Sequence, residues 1–506
     1  MNEVVDEIYE NETAEELYER IQREKEKLIS EGKLKKQKKL TEISEDEIPF
    51  EIPKSWKWVF LYEIADIYTG NSISENLKKN IYSQVCEGYD YIGTKDINFD
   101  GKINYNTGLK VPFNEQKFKK AYKNSVLMCI EGGSAGKKIT FLDKEVCFVN
   151  KLCSFNIIIA NPRYIYYFFK SPIFNMFFNS KLNGLIGGVS ILKLKTIHIP
   201  LPPLSEQKRI SELIDRLFKK LDEAKEKALS ALNTFKLRKA KILHLAIQGK
   251  LSKQLDEYET AEELYEKIQI EKEKLISEGK LKKQKKLPEI SEDEIPFEIP
   301  KSWKWLRLGE LSDTKDNSFA DGPFGSNLKK EHYINEPEVR IIQISNIGEE
   351  GWKNENVKYT SFIHAETIKR SMVSCGDIVI TKMMPAGRAI QVPDIEKNYI
   401  LSSDVIKFVP HPLINRKYLL YSINSNVFKN QIYDEVQGIT RVRTSLMKIK
   451  SYLIPLPPLE EQKEIVKLLD NIFEKEEKVK KLIESTLSKI ELVKKSILAR
   501  AVRGEL

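Results

Sequence analysis

Two loops of this chain carry closely spaced Asn, Ser and Lys side chains that are suited to binding a nucleic acid. They lie at residues 69–79 and 322–330, and both end in Asn-Leu-Lys-Lys. Asn and Gln match the edge of adenine, Arg matches guanine, and Lys and Ser bind phosphate oxygens. These side chains are therefore suited to hydrogen bonding with the bases and phosphates of a nucleic acid such as DNA.

The Asn-Leu-Lys-Lys that both loops share indicates a common contact with the DNA backbone. Arg441 and Arg443 are not shared, and they are the better candidates for reading bases, because Arg bound to guanine is the commonest specific contact. For each residue taken alone, a solvated loop position is the alternative. The candidate DNA-binding residues are Asn71, Ser72, Asn76, Lys78, Lys79, Lys95, Ser190, Ser326, Asn327, Lys329, Lys330, Arg441 and Arg443.

Two other motifs resemble enzyme sites but lack the residues that such sites need. Residues 132–138 (Gly-Gly-Ser-Ala-Gly-Lys-Lys) are one residue short of a P-loop, and Lys138 stands where Ser or Thr would bind magnesium. Residues 161–164 (Asn-Pro-Arg-Tyr) carry Arg163 in place of the second proline of an Asn-Pro-Pro-Tyr loop. No triad accompanies them, and the five cysteines include no Cys-x-x-Cys pair. The sequence predicts turns here, with no catalytic and no metal site.

Two long helices are predicted to position the DNA-binding loops. Each follows a copy of Ile-Pro-Leu-Pro-Pro-Leu, at 199–204 and 454–459. The paired prolines end the preceding element, and the Glu and Gln that follow favour a first helical turn. Heptad spacing then predicts that the helices bury their seams against each other, the alternative being two separate amphipathic helices. The seam residues are Ile210, Ile214, Leu217, Leu221, Ala224, Ala228, Ala231 and Phe235 in the first copy, and Ile465, Leu469, Ile472, Glu476, Val479, Ile483, Thr486 and Ile490 in the second, where the pattern is imperfect.

A longer repeat shows that the whole chain is a tandem duplication. Residues 13–58 and 260–305 differ only at Arg20/Lys267, Arg23/Ile270 and Thr41/Pro288. Each copy predicts a helix that begins after a threonine cap, followed by a linker rich in lysine. Such a basic run either contacts phosphates or is merely solvated.

The stretches between the repeats, 59–198 and 306–453, keep a common skeleton but differ in sequence. Short β-type runs such as 90–94 and 339–344 alternate with Gly, Asn and Asp, and we expect one helix near 164–178. The fold class predicted is α/β (α+β), with two divergent α/β domains separated by two long coiled-coil helices in a pseudo-twofold tandem repeat. The predicted parts are an N-terminal helix and basic linker (1–55), a first divergent domain (56–199), a first long helix (200–250), a repeated helix and linker (251–302), a second divergent domain (303–454) and a second long helix (455–506).

Composition excludes few classes of partner. The 506 residues are 41% apolar and 31% charged, which is typical of globular domains, and the net charge of +9 permits a polyanionic ligand without requiring one. No apolar run is long enough to cross a membrane, and the acidic start does not resemble a signal peptide. We expect a cytoplasmic protein without membrane contact.

This arrangement resembles the specificity subunit of type I restriction-modification systems. The resemblance rests on the duplicated Ile-Pro-Leu-Pro-Pro-Leu-x-Glu-Gln helices, on Phe-Gly-Ser-Asn-Leu-Lys-Lys at 324–330, on Gly-Asp-Ile-Val-Ile-Thr-Lys at 376–382, and on residues 96–103. It implies that the divergent domains are target recognition domains, each of which reads one half of a split, asymmetric double-stranded DNA target. It also implies that the two long helices form an antiparallel coiled-coil spacer that docks two methyltransferase subunits. Whether restriction subunits also join is open.

The resemblance further implies a subunit without a catalytic site or a cofactor of its own. S-adenosylmethionine and ATP with magnesium would then be bound by partner subunits. The repeated helix and basic linker depart from shorter members of the family, and their role is not implied by it. The alternatives are a self-contained enzyme, a stand-alone coiled-coil scaffold, and a DNA-binding protein without a methyltransferase partner.

Overall fold

The computed structural model describes residues 12–36, 43–182, 187–253, 259–283, 285–434 and 443–506. They divide into two compact units, which are described separately. Unit 1 combines Met1–Ala228 with Glu484–Leu506, and unit 2 is Leu229–Ile483.

The helices are α1 (Ala14–Ser30), α2 (Leu61–Ile64), α3 (Glu75–Asn80), α4 (Pro162–Lys170), α5 (Pro172–Ser180), α6 (Ile191–Lys195), α7 (Leu204–Ile247), α8 (Ala261–Ser277), α9 (Phe362–Thr367), α10 (Arg416–Asn424), α11 (Asn426–Asp434), α12 (Leu446–Ser451) and α13 (Leu459–Arg503). The strands are β1 (Lys57–Phe60), β2 (Ala65–Thr69), β3 (Tyr89–Ile92), β4 (Lys110–Val111), β5 (Lys120–Ala121), β6 (Val126–Cys129), β7 (Ile139–Phe141), β8 (Val146–Phe148), β9 (Leu152–Ile157), β10 (His198–Leu201), β11 (Lys304–Arg307), β12 (Phe319–Asp321), β13 (Tyr333–Ile334), β14 (Val339–Ile342), β15 (Tyr359–Thr360), β16 (Met372–Val373), β17 (Ile378–Thr381), β18 (Ala389–Gln391), β19 (Tyr399–Leu401), β20 (Val405–Phe408) and β21 (Leu453–Leu456).

Unit 1 contains two four-stranded sheets that share a core. The first has the order β2-β9-β6-β7 and is antiparallel, and the second has the order β4-β3-β8-β5 with β3 and β8 parallel. Ile92, Leu127 and Phe148 are fully buried between the sheets. The other face of the first sheet packs on α4 and α5 through aromatic residues such as Phe155 and Phe169, whose rings lie 4.6 Å apart.

Unit 2 repeats this layering with a different strand count. Its first sheet has the order β12-β20-β17-β18, and its second has five strands in the order β13-β15-β14-β19-β16. Ile342, Val379 and Leu401 are fully buried in the core that these sheets share. The predicted α/β (α+β) class and the tandem repeat are therefore confirmed, and the predicted strand runs at 90–94 and 339–344 overlap β3 and β14.

The repeated helix belongs to the core of each unit. In unit 1, Thr13 caps α1 as predicted, in a capping box with Glu16, and Leu17 and Ile21 are fully buried. The Tyr18 hydroxyl donates to a Glu63 carboxylate oxygen at 2.7 Å. In unit 2, helix α8 has the same cap, and the matching tyrosine makes the matching bond to the start of that domain at 2.7 Å.

The prediction of a single helix near residues 164–178 is wrong, because the structure has two helices there. Helix α4 ends at Lys170, and α5 begins at Pro172. Pro172 has no backbone N–H to continue the hydrogen bonds of α4, and the Ser171 side chain caps the new helix through the N–H of Phe174. The break turns the aromatic side chains of α5 onto those of α4.

Helices α7 and α13 are the long elements predicted from the prolines, and they run antiparallel within each unit. In unit 1, Asp222 pairs with Lys494 at 2.5 Å and Lys225 with Glu491 at 2.6 Å. Residue numbers therefore rise along one helix as they fall along the other. In unit 2, Arg238 pairs with Glu476 at 2.8 Å.

Burial along the seam is less even than the heptads predict. Ile210 and Ile214 are fully buried, but Ala224 and Val479 are exposed, the latter at 46%. Apolar contact is therefore concentrated where each helix meets its recognition domain, and ion pairs join the helices beyond it.

Candidate nucleic-acid interface

In unit 1, the duplicated proline motif fixes the recognition domain to its helix. Strand β10 pairs with β1, and the Tyr164 hydroxyl donates to the Pro200 carbonyl at 2.9 Å. Gln207 donates to the Pro202 carbonyl at 2.8 Å and accepts from the Asn161 N–H at 2.8 Å. The motif at 161–164 is therefore a helix cap, since the Asn161 side chain accepts from the first N–H groups of α4.

Unit 2 repeats this attachment with the same atoms. The Tyr418 hydroxyl donates to the Pro455 carbonyl at 2.6 Å. Gln462 donates to the Pro457 carbonyl at 2.8 Å and accepts from the Asn415 N–H at 2.9 Å. The Gln of the Leu-x-Glu-Gln motif is thus a buried link between the domain and the helix, and this explains why both copies contain it.

The Glu of the same motif binds the first of the two tryptophans near the end of the repeat. In unit 1, the Trp56 indole N–H donates to Glu206 at 2.8 Å, and in unit 2 the Trp303 indole donates to Glu461 at 2.8 Å. Trp56 and Trp303 are each 6% exposed. Each tryptophan therefore anchors its copy of the repeat to the long helix that carries the Glu.

Four of the candidate DNA-binding residues line one cleft of unit 1. Ser72, Lys78, Lys79 and Lys95 surround a cleft of about 660 Å³. The hydrogen bond from Lys78, together with the charges of Lys79 and Lys95, lowers the pKa of Glu75. These cations are close enough to act on the same anion, and we call this space the recognition cleft.

Local structure explains how the loop places these lysines. Ser74 caps helix α3 through the N–H of Leu77, and the short helix carries Lys78 and Lys79 in its last turn. Lys95 comes from the turn after β3. The cleft therefore gathers residues that are distant in sequence.

The other three candidates of unit 1 make local hydrogen bonds. The Asn71 side chain accepts from the Lys119 N–H at 2.8 Å. Asn76 is exposed and accepts from Asn80, and Ser190 caps α6 through the N–H of Lys193. Asn71, Asn76 and Ser190 do not line the recognition cleft.

Two residues of the cleft were missed by sequence reasoning. Asn150 and Lys151 lie in the tight turn between β8 and β9 and line the recognition cleft. A single Asn-Lys pair carries no periodic or repeated signal. Only the parallel pairing of β3 with β8 brings this turn beside Lys95.

In unit 2, the loop at 322–330 lies against helix α9. The His364 ring Nε2 lies 2.8 Å from the Asn327 carbonyl oxygen, and the Lys329 N–H donates to His332 at 3.1 Å. The two histidine rings stack with centroids 3.9 Å apart. Ser326, Asn327, Lys329 and Lys330 are all exposed on this loop.

The arginine pair is described only in part. Arg441 lies outside the described residues. Arg443 is exposed, forms a β-bridge with Met383, and pairs with Asp404 at 3.2 Å. An exposed guanidinium held by one carboxylate keeps further donors available for a ligand.

The P-loop-like segment 132–138 is the turn between β6 and β7, and Gly136 has a φ of +68° there. A Cβ at Gly136 would lie 2.5 Å from the Phe178 ring, so glycine is required by packing. Among the residues that the structure describes, no helix is long and apolar enough to span a membrane.

A duplicated chain in which each α/β domain is clamped to a long helix, with cationic loops on the domains, defines a two-domain DNA-recognition protein. The family described as type I restriction modification DNA specificity domain matches residues 53–234 and 300–485. The chain therefore belongs to this family, and it is a specificity subunit of a type I restriction-modification system, a component that works with DNA and modification subunits.

Similar proteins agree with this assignment. The chain is 28% identical to the EcoAI specificity subunit and 26% identical to the EcoEI specificity subunit, both of Escherichia coli, over 92% of this chain and 85% of each relative. Among solved structures, a chain from a type I R-M system gives a TM-score of 0.62 at 20% identity, covering 90% of this chain and all (100%) of the other. The HsdS subunit of Thermoanaerobacter tengcongensis gives 0.54 at 19% identity, covering 90% and 99%. These structures support the fold.

Proposed function

We propose that the chain reads a bipartite, asymmetric double-stranded DNA sequence, one half with each recognition domain. One observation supports this proposal: the contacts that attach each domain to its helix are the same in both units, whereas the candidate DNA-binding loops are not. Both units clamp the domain to the helix through the same Tyr, Gln and Trp contacts, while the loops that carry the candidate residues differ. Two domains held alike but bearing different side chains would read two different half-sites.

Within each half-site, the lysines and serines of both loops would position the DNA backbone, and Arg443 with Arg441 would read bases in the second half-site. In unit 1, the recognition cleft supports the backbone role, because four candidate residues line it. Asn150 and Lys151 would also contact the DNA backbone, because they line the same cleft.

The long helices would dock two modification subunits. They expose large apolar side chains that neither recognition domain covers: Leu237 at 78% in unit 2, and Leu492 at 64% in unit 1. These side chains are available for apolar contact with a partner subunit. Restriction subunits are further partners of the proposed complex in systems that cleave DNA.

The chain itself would be non-catalytic and cytoplasmic. S-adenosylmethionine would be bound by the modification subunits, and ATP with magnesium by restriction subunits. The target adenine would be flipped out of the duplex into the modification subunit. The turn at 132–138 and the cap at 161–164 support this division of work, because both have packing roles within unit 1.

Single-molecule methylation mapping tests the proposal. DNA from cells that express this chain with its modification subunits is compared with DNA from cells in which this chain alone is deleted. We expect a split, asymmetric methyladenine motif that disappears on deletion. An unsplit or palindromic motif would contradict the two-domain reading. If the motif is unchanged, this chain does not direct methylation, and DNA binding by the purified chain separates a DNA-binding protein from a scaffold.

A further inference from the structure

The described start of the repeated basic linker lines a second cleft in unit 1, with a volume of about 1170 Å³. Lysines from the linker and from the recognition domain both line it. We call this cleft the lysine groove, and its defining residues are Lys35 and Lys36 of the linker and Lys117, Lys119, Lys120 and Lys195 of the domain.

Most of this charge is not neutralised by neighbouring carboxylates. Lys117 pairs with Glu115 at 3.3 Å, and Lys120 with Glu145 at 3.9 Å. Within the described ranges, Lys35, Lys36 and Lys195 have no carboxylate partner within 4.0 Å. The groove therefore presents several ammonium groups to solvent, and such a site favours a polyanion.

Among the described side chains that line the groove, Asp66 is the acidic one, and its carboxylate offsets part of the lysine charge. Asp66 is half-buried, and burial raises the pKa of its carboxyl, although the charge of Lys195 acts in the opposite direction. A nearby buried amine, Lys25, donates to the Tyr62 carbonyl at 2.6 Å and does not line the groove.

The lysine groove shares a wall with the recognition cleft. Phe118 lines the groove, and its ring packs 5.6 Å from Tyr82 and 6.4 Å from Tyr91. Tyr91 lines the recognition cleft. On the same wall, the backbone N–H of Lys119 holds the Asn71 side chain at 2.8 Å. One ligand that follows the surface of unit 1 would meet both clefts.

Unit 2 keeps the linker lysines but only part of the lysine set of the domain. Lys282 and Lys283 occupy the repeat positions of Lys35 and Lys36, and Lys450 corresponds to Lys195. Strand β16 pairs with β19 as β5 pairs with β8, and this alignment places Lys369 at the position of Lys117 but Ser371 and Met372 at those of Lys119 and Lys120. The domain side of the groove therefore differs between the two units at positions 119 and 120.

We propose that the lysine groove binds DNA backbone phosphates beside the bases that unit 1 reads. This inference rests on the proposed function, because it takes the recognition cleft to face DNA. The cations of the groove are all lysines, which bind phosphate as point charges and carry no forked donors for a base, so the contact is independent of sequence. DNA is favoured over an acidic protein segment because the groove lies beside the recognition cleft, across the wall formed by Phe118 and Tyr91.

The test compares two double variants of the complete complex of this chain with its modification subunits. K35A/K36A removes the linker side of the groove. K282A/K283A removes the same residues of the other repeat and serves as the matched control. Dissociation constants are measured across a salt series for the mapped target DNA and for a scrambled duplex.

Each lost phosphate contact lowers the slope of log affinity against log salt by about 0.9. We therefore expect K35A/K36A to lower the slope by about 2 and to weaken the target and the scrambled duplex by the same factor, while K282A/K283A keeps the wild-type slope. The variant K117A/K119A removes the opposite wall, and we expect it to lower the slope in the same way. Circular dichroism checks that each variant is folded.

Three results would overturn the proposal. The first is an unchanged slope in both K35A/K36A and K117A/K119A, and the second is an equal loss of slope in K282A/K283A. The third is loss of the modification subunits from K35A/K36A on size-exclusion chromatography with the slope unchanged, which would assign the groove to an acidic segment of a protein. Failure of the proposed function is distinguishable, because the wild-type complex would then show no preference for the target over the scrambled duplex.

Discussion

Two nearly identical linkers meet different surfaces in the two units. In unit 2, the buried side chain of Arg307 donates to the Pro288 carbonyl at 3.2 Å, to the Glu289 carbonyl at 2.9 Å and to the Glu294 carboxylate at 2.8 Å. In unit 1, Phe60 stands at the same position, and its ring packs 4.9 Å from His198. Position 60/307 lies just outside the repeat, so a residue of the domain decides how the linker is held.

A second difference, two residues later, also changes how the linker packs on the domain. Gly309 of unit 2 replaces Tyr62 of unit 1, and a Cβ at Gly309 would lie 2.9 Å from the Leu287 side chain. The linker of unit 2 therefore packs into space that a larger side chain would fill. Arg307 and Gly309 lie outside the repeat, so residues of the domain determine how the linker of unit 2 is held, and Phe60 and Tyr62 of unit 1 provide neither the same donors nor the same space.

The largest effect is expected from Arg307→Met. The hydrogen bond from Arg307 lowers the pKa of Glu294 to about 2, and the guanidinium also binds three backbone carbonyls, one of them that of Ser451 at 2.7 Å. Removing a buried charge from such a network destabilises the unit by about 3 kcal/mol, a value at the low end because Glu294 is partly exposed. Urea denaturation should show this loss, and hydrogen exchange should rise at residues 288–294.

The matched variant is Phe60→Met, which changes the same position in unit 1. It should leave hydrogen exchange at 288–294 as in the wild type. If Arg307→Met leaves exchange there unchanged, the arginine does not hold the linker, and the difference between the units at this position is without consequence.

A smaller effect is expected on recognition from Arg443→Ala. If this unshared arginine reads a base, its loss should relax discrimination at one position of one half-site by about 2 kcal/mol. Lys330→Ala, which changes the shared Asn-Leu-Lys-Lys, should instead weaken all sequences alike. Methylation mapping of both variants measures the difference. Relaxed discrimination at a position of both half-sites, or only in the lysine variant, would reverse the assignment of roles.

The shared attachment predicts equal effects in the two units. Gly249 and Gly504 follow helices α7 and α13 with φ of +72° and +75°, and a Cβ would lie 2.6 Å from Pro300 and 2.5 Å from Pro53, respectively. Alanine at either position should lower stability by about 1 to 2 kcal/mol, because L-residues disfavour this conformation. Thermal unfolding of G249A and G504A should give shifts of similar size. A shift in only one of them would show that the attachments differ in strength.

The residues explain why the sequence predicted the framework better than the interface. Prolines 202 and 203 act through their own backbone, and the Thr13 side chain caps the helix that begins at the next residue, so local patterns predicted the starts of α7 and α1. The break between α4 and α5 also has a local signal, Pro172, but the aromatic residues on both sides of it favoured the prediction of one continuous helix. Lys151 entered the recognition cleft only through the pairing of β3 with β8, which is a long-range contact that no local pattern announces.

Arg307 illustrates the other limit of sequence reasoning. A lone arginine after a repeat reads as a surface charge, yet it is 4% exposed because four oxygen-bearing partners from two separate segments surround it. Conversely, Ala224 fits the heptad seam but is exposed, since the ion pairs at 222 and 225 join the helices where apolar contact is sparse. Heptad spacing predicts which face of a helix is apolar, but it does not predict how closely the partner helix packs on that face.

The smallest expected effect concerns a lysine that the two repeats share. Burial lowers the pKa of Lys25 to about 8 in unit 1, and burial lowers the pKa of Lys272 to about 8 in unit 2, from an ordinary value of 10.5. Each amine donates to a backbone carbonyl, of Tyr62 at 2.6 Å and of Glu310 at 2.7 Å. The folded chain therefore releases these protons at a lower pH than the unfolded chain does.

Between about pH 8 and 10.5 the unfolded state binds more protons than the folded state, so stability rises with pH in that window. The gain should be about 0.7 kcal/mol per lysine from pH 7.5 to 8.5. Lys25→Met and Lys272→Met should each remove an equal share of it, measured by urea denaturation at the two pH values. A gain that only one variant removes would show that the helices α1 and α8, although nearly identical in sequence, bury this amine to different depths.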